Sequence, residues 1–210
     1  MIGRRRSDPP YALLSVCLRY PDERLAGAHE ELAGAVAELP RSETRAALER
    51  FLAHLEGRSV LELEQDFVET FDLHRRTSLY LSYYLHGDTR KRGMALLRLR
   101  RLYRTAGLEQ ASGELPDYLP LVLEFCALAP AEVALPLLRE HRPSLELLRH
   151  GLHEAASPYA HLLDALCAGL PRLSALERER VKRLAVDGPP DEQVGLQPFA
   201  PPEAMPEMRA

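Results

Sequence analysis

Apolar residues recur every three or four positions along most of this 210-residue chain, which is the spacing of amphipathic α-helices. Leu32, Val36 and Leu39 show this interval in the first third of the chain. Side chains that can cap a helix precede the apolar runs, and Ser59 with Glu62 matches a capping box. Helix starts are therefore predicted at Ser7 or Asp8, Glu23, Ser42 and Ser59, with the second helix covering residues 23–39.

The central stretch, residues 66–128, combines most of the aromatic residues with the densest run of arginines. Its rings cluster around a polar DLHRRTS link, and rings near a loop are costly to leave in water unless they line a core or a groove. The next segment predicts a helix from Thr89 to about Ala106, with Gly107 as its stop. Leucines occupy one face of this helix and arginines the other.

The sequence ELPDYLPLVLEF, residues 114–125, predicts a further helix with Asp117 as its N-cap. Pro120 would then occupy the third helical position, where a helix needs no backbone N–H. Glu114 and Asp117 would lie beside unbonded backbone donors at this helix start. The prediction is an acidic helix start that is presented to a partner.

The same helical pattern continues after residue 128, and Pro136 should kink the helix that contains it. Further helix starts are predicted at Pro130, Pro143, Pro158 and at the capping box formed by Ser174 and Glu177. The nearest candidate strand, SLYLSYYL, has no partner. We therefore predict an all-α, single-domain bundle of about nine or ten helices over residues 1–187, followed by a proline-rich mobile tail over residues 188–210.

Composition narrows the class of partner. A chain of 210 residues with 46% hydrophobic residues can bury a sizeable core. Its net charge of -4 gives no overall attraction to nucleic acid or acidic lipid, so any charged partner must be recognised locally. No apolar run approaches the roughly 18 residues of a membrane span, and we expect no direct membrane insertion.

The reactive residue types form no recognised catalytic or metal-binding pattern. Cys17, Cys126 and Cys167 stand apart amid apolar residues, as expected of buried reduced thiols. The eight histidines show neither HExxH nor cysteine-coupled spacing, and GDTRKRG lacks the ending of a phosphate-binding loop. We predict no enzymatic activity and no stably bound metal or organic cofactor.

The segment FDLHRRTSLYLSYYLHGDTRKRGMALLRLRRLYRTAGLE followed by ELPDYLPLVLEF resembles the signature of the nitrate reductase molybdenum-cofactor assembly chaperones. This is the NarJ or delta-subunit family, which is related to the TorD and DmsD chaperones. The resemblance is close over the central stretch and extends to the rest of the chain only in helical character. Tyr118 stands where TorD and DmsD relatives usually have histidine, which favours the nitrate reductase branch.

The resemblance implies a TorD-like, cytoplasmic protein of two packed helical halves. Such a chaperone holds the apo catalytic alpha subunit of a membrane-bound respiratory nitrate reductase, chiefly by its N-terminal segment, until the molybdenum cofactor is inserted. It is not part of the finished enzyme. Candidate partners extend to the alpha-beta complex and to cofactor-delivery proteins, and the chaperone itself would be a monomer or a weak homodimer.

A client segment that folds as an amphipathic helix would place its apolar side in an aromatic groove and its basic residues against acidic side chains. In the sequence, the candidate client-binding residues precede, begin and follow the basic helix, residues 90–104. They are Phe71, Leu73, Arg75, Tyr80, Tyr83, Tyr84, His86, Asp88, Arg90, Arg92, Glu114, Pro116, Asp117, Tyr118, Pro120 and Glu124. Purely structural roles stay open: an N-cap for Asp117, a solvated face for the arginines, and a core position for the tyrosines.

Two other hypotheses belong to different classes. A nucleic-acid-binding regulator could use the basic helix, residues 90–104, to contact phosphates, but the acidic net charge and the lack of a recognition module argue against it. An enzyme acting on the molybdenum cofactor would need a nucleophile or base arrangement, and none is evident in the sequence.

Overall fold

The computed structural model describes residues 10–110 and 113–188, and helices dominate these ranges. The α-helices of the described ranges are α1 (Tyr11–Cys17), α2 (Glu23–Gly27), α3 (His29–Ala37), α4 (Glu43–Leu55), α5 (Val60–Phe67), α6 (Leu81–His86), α7 (Arg90–Thr105), α8 (Leu119–Leu128), α9 (Ala131–Glu140), α10 (Arg142–Glu154), α11 (Ala160–Ala168) and α12 (Ala175–Asp187). A π-helical turn (Val68–Asp72) follows α5, and a 3₁₀ turn (Arg75–Thr77) precedes α6. The predicted all-α class is confirmed.

Two predicted features lie wholly or largely outside these ranges. The predicted cap at Ser7 or Asp8 precedes the described residues, and the predicted tail lies beyond them except for Gly188. Among the described residues, no helix combines the length and apolarity that a bilayer crossing requires.

Several helices begin at the capping side chains that the sequence predicts. The hydroxyl of Ser42 accepts a hydrogen bond from the backbone N–H of Arg45 at the start of α4. Complete capping boxes open α5 and α12, in which serine and glutamate exchange hydrogen bonds with each other's backbone N–H. At the far end of α7, Gly107 adopts a φ of 75°, the left-handed conformation that ends a helix readily at glycine.

The predicted single helix over residues 23–39 is wrong, because the structure divides it at Ala28. The N–H of Ala28 donates to the carbonyl of Leu25, three residues back, at 3.2 Å. This tighter turn ends α2 at Gly27, and α3 starts at His29. Such divisions, together with the short α6, explain why the described ranges hold twelve α-helices where about nine or ten are predicted.

The predicted N-cap at Asp117 is also wrong. Tyr118 occupies the cap position of α8 without a side-chain cap, and Pro120 is therefore the second helical residue, not the third. A short antiparallel backbone pairing causes this shift. Leu81 N–H donates to the Asp117 carbonyl at 3.0 Å, and Leu119 N–H donates to the Leu79 carbonyl at 2.8 Å, so the chain stays extended through residue 118.

An aromatic cluster forms part of the core where α4, α5, the π-helical turn and α11 meet. Phe51, Phe67 and Phe71 surround Tyr159, with ring centroids 4.8 to 5.9 Å from the Tyr159 ring. All four side chains are buried, and such tilted and edge-on contacts add to the gain from burying the rings. The cluster ties α4 and the beginning of the central stretch to the start of α11.

Candidate functional site

A surface groove of about 540 Å³ lies between α1, α8 and the segment that follows α7. We call it the α1–α8 groove. Its apolar lining comes from Tyr20, Tyr103, Leu108, Tyr118, Pro120, Leu121, Phe125 and Leu128. The volume falls within the range of about 300 to 1,000 Å³ that ligand pockets usually have, and the aromatic and leucine lining suits apolar side chains.

The position of the groove depends on the packing of α1 against α8. The hydroxyl of Ser15 donates to the carbonyl of Pro120 at 2.7 Å, and both residues are buried. A carbonyl oxygen has two lone pairs, so the Pro120 carbonyl can accept this bond in addition to one within α8. The bond anchors the start of α8 on α1. This contact fixes the positions of α1 and α8, beside which the groove lies, relative to each other.

The charged residues of the groove are predominantly acidic. Glu109, Glu114 and Glu124 line it, and Arg19 also lines it. The Nη2 atom of Arg19 donates to Oε2 of Glu124 at 2.7 Å, but both side chains are about half exposed, so this pair contributes little to stability. The excess of carboxylates gives the groove a negative field that favours basic ligands.

Tyr80 fixes the position of one of these carboxylates. Its hydroxyl donates to Oε1 of Glu114 at 3.0 Å, and its ring lies 5.5 Å from the ring of Tyr118. Burial, together with the hydrogen bond that the hydroxyl donates to Glu114, raises the pKa of Tyr80, so the hydroxyl stays protonated. The N–H of Leu115 donates to the same Glu114 oxygen at 2.9 Å. Glu114 is thus held at the groove instead of rotating freely in solvent.

Asp117 lies behind the groove and not in it. Its side chain is 0% exposed, and its Oδ2 atom accepts hydrogen bonds from both the N–H and the hydroxyl of Ser82 in α6. Nη2 of Arg92 lies 4.0 Å from the same oxygen, while Nη1 of Arg92 donates to Asp88 at 2.8 Å. These charged residues therefore join α6, α7 and the segment before α8 into one network.

Arg92 differs from the other arginines of α7 because its side chain turns inward. Its guanidinium carbon lies 5.9 Å from the ring centroids of both Tyr80 and Tyr83, within the range of cation–π attraction. Only 18% of its side chain is exposed. In this arrangement Arg92 supports the tyrosines and is not displayed to a partner.

Other predicted site residues are part of the interior. Phe71 belongs to the aromatic cluster around Tyr159. Tyr84 is buried, and its hydroxyl donates to the carbonyls of Arg76 and Ser78. Pro116 is buried as well, and its carbonyl accepts a hydrogen bond from Tyr103.

The remaining predicted residues lie on the surface at other places. Leu73 is exposed just after the π-helical turn, Arg75 is exposed at the start of the 3₁₀ turn, and Arg90 is exposed at the start of α7. His86 lines a different cleft, between α7 and α9. The structure therefore brings Glu114, Tyr118, Pro120 and Glu124 together in the α1–α8 groove, with Tyr80 bonded to its rim.

Sequence reasoning missed several residues that line the groove. Arg19 and Tyr20 come from α1's C-terminal side, and Leu108 follows α7. Leu121 and Leu128 lie on the same face of α8 as Glu124, at intervals of three, four and seven residues. This spacing is a signal for a shared helical face that the sequence carries, whereas nothing local to α1 indicates that α8 is its partner.

The described residues hold no group of three or more histidine, cysteine, aspartate or glutamate side chains arranged to bind a metal ion. Burial raises the pKa of Cys17, Cys126 and Cys167 from 9.0 to about 12. The thiols are therefore neutral near pH 7, whereas metal ligation and nucleophilic attack require the thiolate. The described lining of the groove offers shape and charge for binding.

Comparison with known proteins gives consistent matches to one family. The family model described as nitrate reductase delta subunit matches residues 37–165. The probable nitrate reductase molybdenum cofactor assembly chaperone NarJ of Bacillus subtilis is 33% identical over 167 residues, which cover 80% of this chain and 91% of that protein.

Two further relatives differ in how much of their length is covered. The nitrate reductase molybdenum cofactor assembly chaperone NarJ of Escherichia coli K12 is 38% identical over 157 residues, covering 73% of this chain and 66% of that protein. The nitrate reductase-like protein NarX of Mycobacterium tuberculosis H37Rv is 38% identical over 164 residues, covering 76% of this chain. The match spans only 24% of NarX, so this chain resembles one part of that longer protein.

Proposed function

Because this chain belongs to the nitrate reductase delta subunit family, we propose that it is a molybdenum-cofactor assembly chaperone for a nitrate reductase. It would bind the apo catalytic alpha subunit, chiefly by the N-terminal segment of that subunit, and keep it competent for cofactor insertion. After insertion the client would be released to the finished complex. The names of the Bacillus subtilis and Escherichia coli relatives, whose matches cover 80% and 73% of this chain, support the assignment.

The observation that carries the binding proposal is the combination of an apolar lining and an acidic excess in the α1–α8 groove. An amphipathic helix satisfies both features when its apolar side chains contact Tyr118 and Leu121 and its basic side chains face Glu114 and Glu124. Glu114 is already positioned by Tyr80, so little ordering is needed when a cation binds. The groove therefore fits a basic amphipathic segment better than an acidic or fully polar one.

A chaperone of this kind acts by changing which client conformation is populated. Binding holds the N-terminal segment away from its place in the folded enzyme, and the segment must later leave. The cost of ordering a flexible peptide limits the net affinity, which makes release possible without a chemical step. We propose that the helical domain, residues 1–187, is sufficient for this binding.

The binding test uses isothermal titration calorimetry with a synthetic peptide that represents the N-terminal segment of the alpha subunit. The double variant Glu114→Gln with Glu124→Gln should weaken binding by roughly tenfold, because two attractive charges at the groove are removed. The control carries Glu38→Gln and Glu56→Gln, two exposed positions that do not line the groove, and has the same net charge. Equal losses in both variants would contradict the assignment of the groove.

The cellular test measures molybdenum in the client. In a strain that lacks this protein, the purified alpha subunit should accumulate with little molybdenum cofactor, because the segment is not held until loading. The protein itself should show no nitrate reductase activity. Full molybdenum occupancy of the alpha subunit in the deletion strain would overturn the chaperone proposal.

A further inference from the structure

Helix α7 has an unusual charge for a chain whose net charge is -4. It is 16 residues long and contains no aspartate or glutamate. Its basic residues are Arg90, Lys91, Arg92, Arg98, Arg100, Arg101 and Arg104. A run of like charges of this length is unfavourable for the isolated helix, so a partner that neutralises it would lower the free energy.

The buried side of α7 is narrow. Leu99 and Tyr103 are its buried residues, and Arg92 turns inward beside them. Successive residues of a helix rotate by about 100°, so Met94, Leu97 and Arg101 lie within a sector of roughly 60° on the opposite side. We define the outer face of α7 as Met94, Leu97, Arg100, Arg101 and Arg104.

This outer face combines exposed apolar side chains with cations. Met94 is 63% exposed and Leu97 is 49% exposed. Arg98, at the edge of this face, pairs with Glu140 at 3.4 Å. For Arg100, Arg101 and Arg104, by contrast, the structure shows no ion pair within 4 Å among the residues it describes. These three arginines are therefore available to an external anionic partner.

We propose that the outer face of α7 binds an anionic lipid surface. Met94 and Leu97 are exposed beside these arginines, and the boundary of a lipid layer accommodates exposed apolar side chains without a matching cavity, which a protein partner would have to supply. The flanking arginines would contact phosphate groups of the lipids, to which guanidinium donors bind well. Each cation near an anionic leaflet strengthens binding by about fivefold.

The proposed attachment is peripheral, and its surface adjoins the α1–α8 groove. Leu97, Arg100, Arg101 and Arg104 line a cleft of about 520 Å³ that shares Tyr103, Leu108, Glu109 and Gln110 with the groove. Met94 lines neither the cleft nor the groove. This inference goes beyond the proposed chaperone function and does not depend on it.

Co-sedimentation of the full-length protein with vesicles tests the proposal. The protein should bind vesicles of equimolar phosphatidylcholine and phosphatidylglycerol at low salt, bind much less at high salt, and not bind pure phosphatidylcholine. The triple variant Arg100→Gln, Arg101→Gln, Arg104→Gln should lose affinity by roughly a hundredfold, from about fivefold per cation. The control variant Arg24→Gln, Arg41→Gln, Arg172→Gln changes the net charge equally at exposed positions elsewhere and should bind as the native protein does.

Fluorescence gives an independent readout of which face contacts the lipid. The chain contains no tryptophan, so Leu97→Trp introduces a single reporter. Its emission should shift to shorter wavelength with the anionic vesicles, whereas the emission of Leu61→Trp, at a 62% exposed site on α5, should not.

Equal vesicle binding by the two triple variants would overturn the proposal. So would binding of duplex DNA or polyglutamate through this face without binding of anionic vesicles.

Discussion

Oδ2 of Asp117 accepts two hydrogen bonds from Ser82, one from the backbone N–H at 3.0 Å and one from the hydroxyl at 2.5 Å. Ser82 is the second residue of α6, so Asp117 satisfies a free donor at the start of a helix 35 residues away in sequence. Asp117, which the sequence predicts to cap α8, thus supplies an acceptor at the start of α6 instead. This contact fixes α6 against the segment that leads into α8.

The first prediction concerns the stability effect of Asp117. Asp117→Ala should lower the free energy of unfolding by about 2 to 4 kcal/mol, because it leaves the buried N–H and hydroxyl of Ser82 without their acceptor. Urea denaturation measures the change. In a double-mutant cycle with Ser82→Ala the two losses should be strongly non-additive. A fully stable Asp117→Ala variant that no longer binds client peptide would instead assign this carboxylate to the binding site.

The second prediction compares two helical glycines. A Cβ at Gly151 would lie 2.8 Å from the carbonyl oxygen of Arg76, because α10 closely approaches the 3₁₀ turn. Gly151→Ala should therefore destabilise the protein by about 1 to 3 kcal/mol. Gly93, inside α7, has no neighbouring atom within 4 Å of such a Cβ, so Gly93→Ala should stabilise it by about 0.5 to 1 kcal/mol. Thermal or urea unfolding measures both changes. If the two substitutions changed the free energy of unfolding in the same direction, this account would be refuted.

The third prediction concerns alkaline pH. Burial raises the pKa of Cys17, Cys126 and Cys167 to about 12 in the folded state, against 9.0 ordinarily. Between these pH values the unfolded chain has released thiol protons that the folded chain still holds. The free energy of unfolding should therefore be unaffected by the thiols below about pH 9 and should fall above it, by on the order of 1 kcal/mol per thiol near pH 10.

Denaturant titrations across this pH range measure the effect on stability. Thiol reactivity gives a second check, because a thiol-specific reagent at about pH 8 should modify the native protein far more slowly than the unfolded one. Rapid modification of all three cysteines in the native state would show that they are not protected by burial.

The fourth prediction tests the apolar part of the α1–α8 groove. Leu128 lines the groove and is 65% exposed, so Leu128→Gln should leave stability nearly unchanged but weaken binding of the client peptide by roughly three- to tenfold. Leu176→Gln is the matched control, at an 82% exposed site on α12. Calorimetry with the peptide should show a loss for the first variant only. Equal affinity of both variants would remove the end of α8 from the binding surface.

Local features of the fold were predictable where the interacting groups are close in sequence. The capping box of Ser59 and Glu62 involves residues three positions apart, so its formation depends on little else. The end of α7 before Gly107 was predictable for the same reason, since glycine accepts the left-handed conformation without steric cost. The break at Ala28 was not predictable in this way, because the apolar period of residues 23–39 suits both one helix and two.

The central motif also indicated the family, which the match over residues 37–165 confirms. It did not indicate which of its residues share a surface. Phe71 and Tyr84 are buried, while Glu114 and Tyr118 line the groove, although all four belong to the same stretch. Aromatic side chains serve equally well in a core and in a binding groove, so residue type alone cannot separate the two.

The sequence by itself determined the helical class, the caps at Ser42, Ser59 and Ser174, and the family, because periodicity, capping and motif residues act over short distances along the chain. The tertiary structure alone decided the groove and the place of Asp117. Arg19 meets Glu124 across 105 residues of sequence, and Asp117 meets Ser82 across 35. Helices α1 and α8 come together because each must bury an apolar face. The sequence of an apolar face does not indicate which other helix will pack against it.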